Sequence, residues 1–153
     1  MDDIRALLSD EQLARLRAAY DAGAFVRAEV RLFATAFPPL AHWNEAIATT
    51  FYAPSAALAA VDRERCIIAL LAHTGQELPL AFHIYWGLME GLSVEEIGYT
   101  VGLAGCYGGV SRAGAGLQIV GRTLRLLQTL PQGLEPTPSV VQQALVEAFT
   151  SAG

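Results

Sequence analysis

Glu64 and His83 are the two groups of this chain best suited, by type and spacing, to move protons. Val61, Glu64, Ile68 and Leu71 recur at helical intervals, which gathers them on one face and sets a carboxylate on an otherwise apolar stripe. Burial raises the cost of ionising a carboxyl group. A buried Glu64 therefore needs a cation, hydrogen bonds or a proton of its own, and each of these suits proton transfer. The alternative is a Glu64 in the first turn of its helix, favoured by the dipole and open to water. His83 sits at the edge of a second stripe, Leu80, Ile84 and Leu88, with Trp86 and Gly87 one turn on. An imidazole there can take up and return a proton once a partner fixes its tautomer. Its competing role is structural, as a buried histidine satisfied by neighbours. His42 and His73 lack such a context.

Other chemistries find less support. Metal binding needs converging ligands, and the chain has no H-x-x-x-H, E-x-x-H or C-x-x-C, so no metal is expected. Cys66 and Cys106 stand forty positions apart inside apolar runs. That spacing suggests neither a disulfide framework nor a zinc site. It fits a reducing cytoplasm, with each thiol packed as a small hydrophobe or, alternatively, reactive. "GLAG" and "CYGG" are not phosphate loops, because no strand precedes them and the chain has no lysine. Arg112, beside the glycine-rich turn, can anchor a carboxylate through a bidentate pair or stand solvated at a helix start. Tyr107 and Trp86 can line a pocket or simply join the core.

The elements that must position these groups are helices. No stretch alternates as a strand does, and the class is all-α. Leu13, Leu16 and Tyr20 stripe a first helix capped by Ser9 or Asp10, and a second is expected over 24–36. "FPPL" should stop the chain before a third helix over 41–51. Asp62 can cap a fourth over 63–73, ended by Gly75, and a fifth covers 78–90, ended by Gly91. Ser93 with Glu96 forms a capping box that opens the sixth. Glycines at 98, 102, 105, 108 and 109 follow, each about 0.5 to 1 kcal/mol unfavourable inside a helix. They require either close approach of a helix or ligand to the backbone, or a kink or loop near 106–109. A helix over 110–130, a linker at 131–138 and a final helix over 138–149 complete the chain.

With 153 residues, 53% of them hydrophobic, the chain is expected to make one domain over 1–153. The net charge is −5 and the ten basic residues, all arginine, are scattered, which argues against nucleic acid as a partner. No basic start with an apolar run marks a signal peptide, and the uncharged stretch over 97–111 is too short to cross a bilayer. Only 16% of residues are charged, which leaves little polar surface for a monomer and points to a homo-oligomer, a dimer, trimer or hexamer.

In order, "ERCIIALLAHTGQELPLAFHIYWGLMEGLSVEEIGYTVGLAGCYGGVSRAGAGLQIV" resembles the carboxymuconolactone decarboxylase and alkylhydroperoxidase D-like superfamily. The likeness runs from a Glu-Arg helix start, through a histidine helix, to G-(L/V)-(S/T)-x-E-E-I. It continues to an aromatic-glycine stretch like Y-A-G-F-P, here Tyr107, Gly108, Gly109, Val110 and Ser111. It covers about 56–125, within a core of about 56–130, and implies an alkylhydroperoxidase D-like orthogonal helix bundle. The peroxidase branch carries a glutamate, C-x-x-C and a histidine, with nineteen positions from glutamate to histidine. Glu64 and His83 keep that separation, but Gln76 and Pro79 stand where the cysteines would be and supply no sulfur. The decarboxylase branch lacks the cysteines. Resemblance to it implies cofactor-free chemistry on a small carboxylated lactone or related carbonyl compound, with His83 exchanging the proton and Glu64 orienting it. An apolar pocket between the fourth, fifth and sixth helices should hold the substrate. A redox enzyme using Cys66 or Cys106, and a non-catalytic binding module, are the alternatives.

Overall fold

The computed structural model describes residues 3–24, 26, 27, 31, 35, 38–52, 57–131 and 133–150, with the backbone alone at 40, 41, 44 and 48. All regular structure among the described residues is helical. A short 3-10 turn, Ile4–Ala6, precedes α1 (Asp10–Ala18), α2 (Pro38–Phe51), α3 (Ala60–Thr74), α4 (Glu77–Glu90), α5 (Val94–Gly108), α6 (Val110–Thr129) and α7 (Pro138–Thr150). The helix expected over 24–36 lies largely outside the described residues.

The core is organised around α4. Every residue of α4 from Leu80 to Met89 is buried, His83 among them. It packs against α1, α3, α5, α6 and α7, so no face is left for water. A helix apolar all round belongs at the centre of a bundle. The single stripe Leu80, Ile84 and Leu88 therefore understated the burial of "LAFHIYWGLM", and His83 lies within the core instead of at its edge.

Local signals set most of the boundaries. Ser9 and Ser93 each form a capping box, with Gln12 and Glu96 respectively. Gly75 (φ 74°) and Gly91 (φ 116°) end α3 and α4 in the left-handed region that a side chain resists. Two starts differ from expectation. Pro38 and Pro39 open α2 instead of excluding it, because first-turn prolines give up only amide donors that have no helical partner. Asp62 does not cap α3, which begins earlier at Ala60 with Ala59 as an N-cap that makes no side-chain bond. Asp62 binds Arg65 at 2.7 Å instead. Arg65 also reaches Glu96 at 2.6 Å and so ties the start of α5 to α3. The Ser93 amide first, and then Arg65, hold the Glu96 carboxyl below its ordinary value. That clasp is complete above the usual carboxylate range and weakens as acid titrates Glu96.

The break expected near 106–109 falls at Gly109. Helix α5 continues to Gly108, and the chain turns at Gly109 (φ 95°) straight into α6, which folds back on α5. Gly105 makes that contact possible: a Cβ there would meet Ala113 Cβ at 2.2 Å and its Cα at 2.9 Å. Gly102 faces nothing within 4 Å. Gly105→Ala should therefore cost about 1 to 3 kcal/mol in urea unfolding. Gly102→Ala should be neutral or stabilise by up to about 1 kcal/mol. Equal effects of the two would contradict this packing.

Candidate functional site

Glu64 lies in the second turn of α3 and is wholly buried, so the solvated first-turn alternative does not hold. Gly87, one turn beyond His83 on α4, has no Cβ to hold α3 away: one there would lie 3.1 Å from Ile68 Cδ1 and 3.7 Å from Glu64 Cβ. The close approach brings Glu64 Oε2 to 2.8 Å from His83 Nδ1. The second carboxylate oxygen, Oε1, accepts from Arg63 Nε at 3.2 Å. The two oxygens thus have one donor each, as a buried carboxylate requires.

The same contact fixes the imidazole. With the carboxylate accepting from Nδ1–H, neutral His83 carries its lone pair on Nε2. Nε2 has no hydrogen-bond partner among the described residues, and the side chain keeps 11% of its surface open. An aromatic wall holds the ring plane. Trp86 stacks on His83, with centroids 5.7 Å apart and planes 13° from parallel, and Tyr52 stacks on Trp86 at 4.6 Å. The Arg63 guanidinium lies 4.3 Å over the Tyr52 ring. Trp86 is itself pinned, since its Nε1 donates to Glu90 Oε1 at 3.2 Å, and the same oxygen accepts from Tyr20 at 3.0 Å. Burial, then the nearby Glu90 charge, pushes the Tyr20 phenol upward, so Tyr20 stays protonated and donating. A cation, a carboxylate and an imidazole are thus linked, with one nitrogen left over to take or deliver a proton.

Of the residues expected at a site, Glu64, His83 and Trp86 come together. Arg112 and Tyr107 do not. Arg112 is exposed and lies against Gly75, at the C-terminal end of α3 where a cation is favoured. Gly75 is roughly 16 Å along the helix from Glu64. Tyr107 is 86% exposed near the end of α5. Both cysteines are exposed, not packed as small hydrophobes, because each falls on the outward side of its helix. A cleft that reaches the pair's neighbours opens between α2 and α3. It is lined by Ile47, Phe51, Tyr52, Leu58, Arg63 and Ile67 among others. Arg63 and Tyr52 stand between it and the pair.

Arg63 and Tyr52 were not singled out from sequence. Arg63 left one signal, its place beside a glutamate on an apolar stripe; Tyr52 left none, since its stacking joins segments distant in sequence. Among the described residues no three His, Cys, Asp or Glu side chains cluster as metal ligands would. No helix of the described residues is long and apolar enough to cross a membrane. Compared with protein-family models, with curated proteins and with solved structures, the chain matches none.

Removing one partner of a buried ionic pair leaves the others unsatisfied. Glu64→Ala is expected to cost about 3 to 5 kcal/mol in urea unfolding, and Glu64→Gln, which keeps one acceptor, distinctly less. Equal stability of Glu64→Ala and the native protein would contradict the burial of this pair.

Proposed function

We propose that this protein is a cofactor-free acid–base enzyme that decarboxylates or isomerises a small carboxylated lactone or related carbonyl compound, with His83 as the proton-transfer group and Glu64 as its positioning residue. The 2.8 Å contact between Nδ1 and a wholly buried carboxylate, with Nε2 unpartnered among the described residues, carries this reading. Loss of carbon dioxide, or of a proton next to a carbonyl, leaves an enolate-like carbanion. Such a species must be protonated at carbon by an acid held in place, and an imidazole with a fixed tautomer is suited to that task. The resemblance of "ERCIIALLAHTGQELPLAFH" and the capped helix after it to the carboxymuconolactone decarboxylase and alkylhydroperoxidase D-like superfamily supports the same chemistry and an alkylhydroperoxidase D-like fold. Exposed unpaired thiols at Cys66 and Cys106 fit a reducing cytoplasm.

The reading is tested with carboxylated lactones and cyclic ketones as substrates. The native protein should turn over at least one, and His83→Gln should lower that rate about a hundredfold or more with helix content unchanged. Undiminished turnover by His83→Gln would remove His83 from the reaction. One observation favours a second, thiol-based reading: Cys66 is exposed and lines the cleft. Under the acid–base reading Cys66→Ser keeps full activity, and loss of activity in that variant would favour the thiol.

A homo-oligomer belongs to the same proposal. Tyr99, Leu103, Tyr107 and Val110 present large apolar side chains on the outward side of α5 and the start of α6, in a chain with few charges to cover its surface. Light scattering should give a multiple of 16.3 kDa, with Tyr99→Glu and Leu103→Glu together shifting the mass to the single chain. A native mass of one chain would overturn assembly.

A further inference from the structure

We propose that the cleft between α2 and α3 binds a small, largely hydrocarbon monocarboxylate, with its carboxylate held by Arg63. This touches the acid–base reading only through Arg63, which lines the cleft and also binds Glu64; His83 is not among the described lining residues.

The cleft holds about 650 Å³, within the range of small-ligand sites. Ile47, Phe51, Ala57, Leu58 and Ile67 give it hydrocarbon walls, and Arg63 is the only charged residue among the described residues that line it. Phe51 and Leu58 remain 60% and 55% exposed, which is the apolar surface that a bound hydrocarbon body would cover.

Arg63 is largely buried, with its side chain 12% open, yet the described residues do not use up its donors. Nε donates to Glu64, and Nη1 donates to the Phe51 carbonyl at 3.3 Å. Nη2 has no partner among the described residues. A guanidinium presents its N–H groups as a planar fork that matches a carboxylate, and a partly desolvated fork with spare donors is better satisfied by an anion than by water alone. Glu64 binds Nε and offsets part of the guanidinium charge, but it is not among the described lining residues, so the N–H groups that a ligand meets in the cleft are the arginine's. Among the described lining residues a second carboxylate on the ligand would find hydrocarbon, Thr50, Tyr52 and Cys66, and would lose hydration without gaining a cation. One cation in an apolar cleft therefore selects a monoanion over both the uncharged analogue and the dianion.

Calorimetric titration of the full chain tests this with three probes: 3-phenylpropanoate, the uncharged 3-phenylpropan-1-ol, and the dicarboxylate benzylsuccinate. The monoacid should bind about tenfold or more tighter than the alcohol and the diacid. Leu58→Glu places a negative charge on an exposed part of the wall and should weaken the monoacid about tenfold or more without disturbing the core. Arg63→Gln should abolish the preference for acid over alcohol. Equal affinity for acid and alcohol, tighter binding of the diacid, monoacid affinity unchanged by Leu58→Glu, or no binding of the monoacid at millimolar concentration would each overturn the proposal. The binding and catalytic claims fail separately. Monoacid binding by a native protein that turns over no lactone or ketone sinks the reaction and leaves this site, whereas turnover without monoacid binding does the reverse.

Discussion

A carboxylate with no access to water has to be given its hydrogen bonds by the protein, and Glu64 is such a group. Its two oxygens take one donor each, from Arg63 on its own helix and from His83 on the next. Much of the surrounding structure can be understood as the means of holding that arrangement. Gly87 lets the two helices approach, the stacked Trp86 and Tyr52 hold the imidazole plane and the guanidinium, and Glu90 with Tyr20 holds Trp86. A buried ion pair is a poor source of stability, because desolvation offsets much of its attraction. Its value here lies in specifying one geometry and one tautomer, which is what proton transfer requires.

The central position of α4, which follows from its all-round apolar sequence, steadies the same arrangement. A helix surrounded by α1, α3, α5, α6 and α7 cannot rotate or slide without breaking contacts on several sides, so residues on it are placed with little freedom. His83, Trp86 and Gly87 all lie on this helix, while the groups that complete the site come from α3 and from the end of α2. The site is therefore rigid on the imidazole side, and the apolar cleft that Arg63 lines lies on the other.

Much of this was legible in the sequence where the signal was local. The capping box at Ser93, the left-handed glycines at 75 and 91, and the all-α class each depend on a few neighbouring residues. Glu64 and His83 were each legible as a polar group on or beside an apolar stripe, and their pairing was what the resemblance implied. What could not be read depends on contacts across the fold. Nothing near Arg112 in sequence says that it lies at the far end of α3, and nothing near Tyr52 says that it stacks on Trp86. The cysteines were misread because an apolar run does not say which way each side chain faces, and both face outward. Pro38 and Pro39 were misread because proline ends one helix and begins another with equal ease.

The central claim is that Glu64 fixes the tautomer of His83. Nitrogen-15 NMR of the histidine rings, with the His83 signals assigned by His83→Gln, measures this directly. The account predicts a proton held on Nδ1 and a lone pair on Nε2 in the neutral ring. A neutral His83 with its proton on Nε2 and a bare Nδ1 would contradict it.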